Sequence, residues 1–268
     1  MTIYWHPFLA EMLRLSYADR IIIQEQLPLG DLPLEADLLL LRRDPKVVLP
    51  FPLEHLGQRT LVEFKSPDDT ADQAALEQLE IYGMLYVRRE RLRQRSDLTL
   101  WLMASRFAAN VSQPGLAEVV GVEQVGPGVS RGTLDGFPTV LVDLQGVPFS
   151  PDTVPLHMVS RGRQERALTE FLVDHHREYP KQFELLQRLH TESLLEVMSM
   201  RNVTPEQMGI NYDALIKLLG PEKVLRHFGL EALLNEYVKE HGDEKIREWL
   251  ERHSKPPSGP DQSASSQN

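Results

Sequence analysis

Residues 60–65 read Thr-Leu-Val-Glu-Phe-Lys, a β-prone run that sets an acid, Glu63, and an amine, Lys65, two positions apart. Side chains alternate across a strand, so Leu61, Glu63 and Lys65 share one face while Thr60, Val62 and Phe64 take the other, toward a core. Residues 35–41 form a second such run, in which Glu35, Asp37 and Leu39 share a face. If the two strands are neighbours, Asp37 approaches Glu63. Two carboxylates that close repel unless they share a divalent cation. Oxygen-only ligation suits Mg2+ or Mn2+, which keep several waters and can bridge to a substrate phosphate. Such an ion polarises a phosphoryl oxygen and lowers the pKa of a bound water, while a neighbouring lysine orients that water or stabilises charge growing at phosphorus. These are the parts needed to hydrolyse a phosphodiester.

The acid-x-lysine spacing also occurs at Asp44-Pro45-Lys46 and Asp243-Glu244-Lys245. The first has a proline at its centre and the second lies in a helical pattern, so only Glu63 and Lys65 sit within a strand. A helix pattern comes next, in which Gln78 and Tyr82 are four apart and therefore on one face. An amide and a phenol there can contact a phosphate or a metal's waters; taken alone, a core tyrosine and a solvated glutamine is the better reading. Farther on, Arg88, Arg89, Arg91, Arg93 and Arg95 are interrupted by a single acid, Glu90. They read equally as cations suited to a helix C-terminus and as a patch that steers phosphate, with Arg88 and Arg89 as substrate contacts.

The elements that must position these groups are legible as alternating patterns. Residues 8–17 form an amphipathic helix, residues 20–27 and 35–41 two strands, and residues 60–65 a third. Between the second and third strands, residues 43–58 carry Pro45, Pro50 and Pro52 and read as an insertion or irregular hairpin. A helix over 70–89 and strands over 97–103, 117–124 and 139–144 come after it. The order predicts a mixed α/β domain over 1–150, then a mostly helical region over 158–253. In that region Thr204-Pro205-Glu206-Gln207 is a helix-start signal, and residues 213–237 suggest two short helices around a turn. Such a pair can bind DNA, although plain packing is commoner. Residues 254–268, SKPPSGPDQSASSQN, offer nothing apolar to bury and are expected to be disordered.

Together the acids, the lysine and the Gln78-x-x-x-Tyr82 pair resemble the PD-(D/E)XK nuclease superfamily and, within it, the RecB-like branch. The resemblance spans about residues 8–103. The later Gly220-Pro221-Glu222 and Gly229-Leu230-Glu231 phrasing resembles the group of recombination-promoting nucleases and transposase-like proteins. It implies a restriction-endonuclease-like sheet flanked by helices and a Mg2+- or Mn2+-dependent DNA endonuclease linked to recombination or transposition. It also implies roles: Asp37, Glu63 and the Phe64 carbonyl as metal ligands, Lys65 serving the attacking water, and Glu11 as the added acid from the first helix. Two departures stand out. Ala36 replaces the usual proline before the first acid, and the interval from Asp37 to Glu63 is longer than typical.

Composition narrows the remaining classes. The chain is 41% hydrophobic and 25% charged, the balance of a globular protein, and lacks any apolar run of the ~20 residues a membrane span needs. With no secretory-type start, a cytoplasmic location is the default expectation. The absence of cysteine excludes disulfides, thiolate zinc sites and thiol nucleophiles. A formal charge of −10 argues against tight non-specific binding to nucleic acid, yet phosphates respond to local patches. No Walker-type phosphate loop is present. Residues 128–132 match G-x-S-x-G, but residues 133–138, TLDGFP, cannot form the helix that a nucleophile elbow requires, so a glycine-rich turn is expected. His175 and His176 read as a solvated helix face. The expected partner is DNA, with no membrane and with homo-oligomerisation left open. The competing reading is a catalytically inactive nuclease-fold scaffold that acts through the helical tail.

Overall fold

The computed structural model describes residues 5–29, 35–112, 117–210 and 244. The chain divides into two units, Met1–Leu194 and Leu195–Asn268.

The first unit is α/β, built on a seven-stranded mixed sheet flanked by helices. Helix α1 (Trp5–Tyr17) buries Trp5, Leu9, Met12 and Leu13, the spacing of one helical face, and packs on the first two strands. Those strands, β1 (Ile21–Pro28) and β2 (Glu35–Arg42), are antiparallel, and β2 pairs antiparallel with β3 (Arg59–Phe64). The long proline-rich interval therefore does not separate β2 from β3. It forms one 3-10 turn, Leu53–His55, and buries Leu49, Leu53 and Leu56, while Arg42 and Gln58 close its base with a backbone hydrogen bond of 3.1 Å.

Helix α2 (Gln73–Glu90) carries the chain from β3 to β4 (Thr99–Ala104), which lies parallel to β3. Asp72 caps the helix by accepting the Ala75 N–H at 3.1 Å, and Arg91 ends it in the left-handed region at φ +53°. The helix buries Leu76, Leu79, Tyr82 and Tyr86 against Leu39, Leu61, Leu100 and Leu102 of the sheet. Gly83 permits this approach, because a Cβ there would lie 3.1 Å from Leu100 and 3.2 Å from Phe137. Residues of the other parity, among them Leu38, Leu40, Val62 and Trp101, are equally buried, so both faces of the central strands are covered.

Strands β5 (Val119–Gly126), β6 (Val129–Leu134) and β7 (Phe137–Asp143) complete the order β1-β2-β3-β4-β7-β6-β5, with β7 parallel to β4 and the last two pairings antiparallel. Sequence patterning finds β5 and β7 but misses β6. The expected glycine-rich turn at 128–132 is confined to its start. Gly128, at φ +70°, turns the chain, and Val129 onward is strand. A nucleophile elbow is thereby excluded, since Ser130 is succeeded by strand rather than helix.

Short helices α3 (Val154–His157), α4 (Arg163–Asp174) and α5 (Pro180–Leu189) continue the same unit past residue 150, where the sequence pattern places the end of the sheet-bearing domain. The physical reason is packing: α3 lies against α1, and the Trp5 ring stands 6.2 Å from that of His190. Helix α6 (Thr191–Met200) crosses into the second unit. There the helix-start signal at Thr204 produces only a 3-10 turn, Glu206–Met208, which Gly209 ends at φ +69°. The expected helix pair at 213–237 and the tail at 254–268 lie outside the described residues.

Candidate active site

The register of β2 and β3 pairs Leu38 with Val62 and Leu39 with Leu61. One further step sets Asp37 across from Glu63. Both continue the parity of Leu39 and Leu61, which face α2, so the two acids share that face of the sheet. At this point the ladder gives way to a side chain: Asp37 Oδ2 accepts the Phe64 backbone N–H at 2.8 Å. Gln26, opposite Asp37 on β1, takes a left-handed backbone at φ +47° and leaves the β1–β2 ladder open there. Asp37 thus sits in a gap of the sheet, held by a hydrogen bond from the neighbouring strand.

Lys65 lies just beyond β3 but is still tied to β4, its N–H donating to the Met103 carbonyl at 2.9 Å. Its ammonium donates to Glu63 Oε1 at 2.7 Å. Glu63 is only 4% exposed. Burial first, and the facing Asp37 second, push its carboxyl up to about 7, against the pull of Lys65. Asp37 is likewise raised by burial, opposed by the Phe64 N–H and by the charges of His6 and Lys65. Burial works against the Lys65 ammonium, but Glu63, Asp37 and Asp69 outweigh it and raise its pKa. Two desolvated carboxyls here face the Lys65 ammonium, and the charge of His6 bears on Asp37 as well.

The α2 pair also reaches this place. Gln78 Nε2 donates to the Tyr82 hydroxyl at 2.7 Å. The Tyr82 phenol is pushed up by burial and then by Glu63 and Asp37, with the Gln78 amide opposing. Tyr82 therefore feels the acids through space, and Gln78 orients it.

The arginines divide. Arg89 reaches the Pro28 carbonyl, whose strand partner Glu35 is two residues from Asp37, and it also pairs with Glu90 at 2.9 Å. Arg88 is exposed on the last turn of α2. Arg95 is bound to Asp135 and so is tied down. Glu11 is exposed on α1 and forms no metal-holding group with the two acids. The α1 residue whose charge bears on Asp37 is His6, which sequence reasoning missed. Its only signal is its place immediately before Pro7 at the head of the helix. His175 and His176 hydrogen-bond carbonyls of their own segment, those of Phe171 and Val173, through Nδ1 at 2.9 and 3.1 Å.

Among the described residues no group of three or more His, Asp or Glu side chains is arranged to hold a metal ion. The donors available are two carboxylates, Asp37 and Glu63, and the Phe64 carbonyl between Glu63 and Lys65. Mg2+ commonly binds through one or two carboxylates and keeps its waters, whereas zinc sites call for a fuller protein shell. The buried acid pair fits such a hydrated cation.

Comparison with models of protein families, with curated proteins and with solved structures finds no match to this chain. Among the described residues no helix is long and apolar enough to cross a membrane.

Proposed function

We propose that the chain is a metal-dependent endonuclease that hydrolyses phosphodiester bonds of DNA, with a restriction-endonuclease-like core of the PD-(D/E)XK, RecB-like type. The carrying observation is the set Asp37, Glu63 and Lys65, two acids across adjacent antiparallel strands with an ammonium 2.7 Å from one of them. Asp37, Glu63 and the Phe64 carbonyl would hold the ion. When bound, Mg2+ or Mn2+ supplies Lewis-acid polarisation of a phosphoryl oxygen and a water of lowered pKa. Lys65, kept in place by Glu63, stabilises charge on the phosphoryl oxygens and orients the attacking water. Tyr82, held by Gln78, positions the substrate, and Arg88 and Arg89 attract its backbone.

The test is cleavage of duplex, single-stranded and branched DNA with Mg2+, Mn2+, Ca2+ or a chelator. Wild type is expected to cut with Mg2+ or Mn2+, to bind but scarcely cut with Ca2+, and to stop with chelator; Glu63→Ala is expected to be inert. The scaffold reading draws on two observations: Lys65 already satisfies Glu63, and no third acid among the described residues joins the pair. Identical behaviour of wild type and Glu63→Ala with every metal and substrate would replace the nuclease reading with that one.

A further inference from the structure

Strand register extends the row of the acids across the sheet. Glu63 pairs with Leu102, Leu102 with Leu141, Leu141 with Ser130, and Ser130 with Gln124. Paired residues in adjacent strands present side chains to the same face. Asp37 and Glu63 thus begin a row that ends in Leu141, Ser130 and Gln124. These last three line a cavity of about 500 Å³, with Phe107 and Asp143 among its other walls. At about 4.8 Å per strand, Leu141 lies roughly 10 Å from Glu63 and Ser130 roughly 14 Å.

We propose that this cavity takes one unstacked nucleobase from the strand whose phosphodiester is presented to Glu63, and that it favours a base bearing an exocyclic amine. The inference rests on the nuclease reading for what lies at Glu63. The cavity falls within the range of small-ligand pockets, which span about 300–1,000 Å³. Phe107 and Leu141 give it apolar walls against which a flat ring can stack. The Ser130 hydroxyl makes no hydrogen bond among the described residues. Gln124 is exposed, its amide held among the described residues by one long 3.4 Å bond to the Gly126 carbonyl. Both side chains can turn to read a base edge.

Asp143 decides between base and backbone. Its Oδ1 accepts the Gln145 N–H at 2.9 Å, which fixes the carboxylate beside the cavity. A carboxylate repels phosphate and accepts from an amine, as acids do from cytosine N4. The ring therefore enters and the phosphate stays outside. Spacing agrees, since stacked nucleotides advance about 3.4 Å along a strand, which puts the held base about three to four nucleotides from the cut.

One connection joins the two places mechanically. Ala71, in the loop after Lys65, accepts the Ala108 N–H at 2.8 Å and donates to the Arg106 carbonyl at 2.9 Å. The cavity wall at Phe107 is thus pinned to the loop that leaves the acid pair.

The experiment uses the full chain with chelator and a short single-stranded DNA carrying one 2-aminopurine, a base whose fluorescence rises when it unstacks. Wild type is expected to raise the fluorescence on binding. Ser130→Phe, which fills the cavity, is expected to abolish the rise and to weaken binding about tenfold, the scale of one base–aromatic stack. Asp143→Asn, which keeps the turn but not the charge, is expected to erase the preference for amine-bearing bases over thymine. It also serves as the second test should Ser130→Phe fail to fold. With Mg2+ restored, moving one abasic position along the strand should weaken cleavage at a single offset from the cut. Cleavage by wild type with no fluorescence change, and with both variants unaltered in base preference, overturns the base pocket and leaves the nuclease reading standing. A fluorescence rise lost in Ser130→Phe, with no cleavage of any DNA, upholds the pocket and removes the nuclease reading.

Discussion

Asp37 Oδ2 accepts the backbone N–H of Phe64 at 2.8 Å, so the acid of one strand is bonded to the residue between the acid and the lysine of the next. The relative position of Asp37, Glu63 and Lys65 is consequently a property of the backbone. Any ligand at the acids meets groups whose spacing is set before it arrives.

That bond separates two substitutions at Asp37. Asparagine keeps an acceptor for the Phe64 N–H but loses the charge; alanine leaves a part-buried donor unpaired, at a cost of about 1–3 kcal/mol. Both variants are expected to lose cleavage, and Asp37→Ala alone to lose stability on that scale in urea denaturation. Equal stabilities for the two would contradict the role given to the bond.

Lys65→Met removes the ammonium without adding a competing polar group. Because Glu63 Oε1 is then released, Mn2+ affinity should hold or tighten, while single-turnover cleavage slows by about 100- to 1,000-fold, the usual size of a lost charge-stabilising donor. Mn2+ titration by electron paramagnetic resonance beside quenched-flow kinetics checks both. A variant that loses Mn2+ together with activity would place Lys65 in metal retention.

Gln78→Ala takes away the amide that orients the Tyr82 hydroxyl. One hydrogen bond of about 1 kcal/mol should appear as a roughly fivefold rise in KM with kcat little changed. A fall in kcat at constant KM would move Gln78 from substrate positioning into the chemistry.

His157 sets an acid limit on the fold. Its ring has no solvent exposure, Nδ1 has no partner among the described residues, and Nε2 stands 3.4 Å from the Pro148 carbonyl. Burial lowers its pKa to about 4. The unfolded chain takes up this proton near 6.5, so between those values it binds the proton that the folded chain refuses. The contribution of this ring is full above about 6.5 and is lost as pH drops toward 4, by up to about 3 kcal/mol, while Glu63, raised to about 7, works in the opposite direction over much of that window. As pH drops from 6.5 to 4, denaturation midpoints of wild type should therefore lose ground relative to those of His157→Leu. Parallel curves would assign the acid sensitivity elsewhere.

The acid pair was legible because residues 35–41 and 60–65 each read as a strand, within which parity alone groups Asp37 with Leu39 and Glu63 with Leu61, and α2 because its apolar residues recur at helical spacing. Strand β6 was not. Its Ser130, Arg131, Gly132 and Thr133 offer little apolar alternation, since the strand is half-exposed and lies between β7 and β5. His6 carried no pattern at all, being a lone residue that only the approach of α1 to β2 makes relevant. The cavity was equally hidden. It depends on the register of three strands, β7, β6 and β5, and register is a long-range property that spacing along the chain does not encode.

Gly83 adjoins Tyr82 on α2, and the helix rests on Leu100 and Phe137 where its side chain would be. One missing methyl therefore acts as a shim that sets the clearance between helix and sheet. Gln78 and Tyr82 ride on that rigid rod, so neither can be raised or lowered over the acids alone. In Gly83→Ala either the Leu100 and Phe137 side chains or the helix must give by a few tenths of an ångström, and wherever the helix gives, Gln78 and Tyr82 rise over the acids together with no residue at the acids being changed.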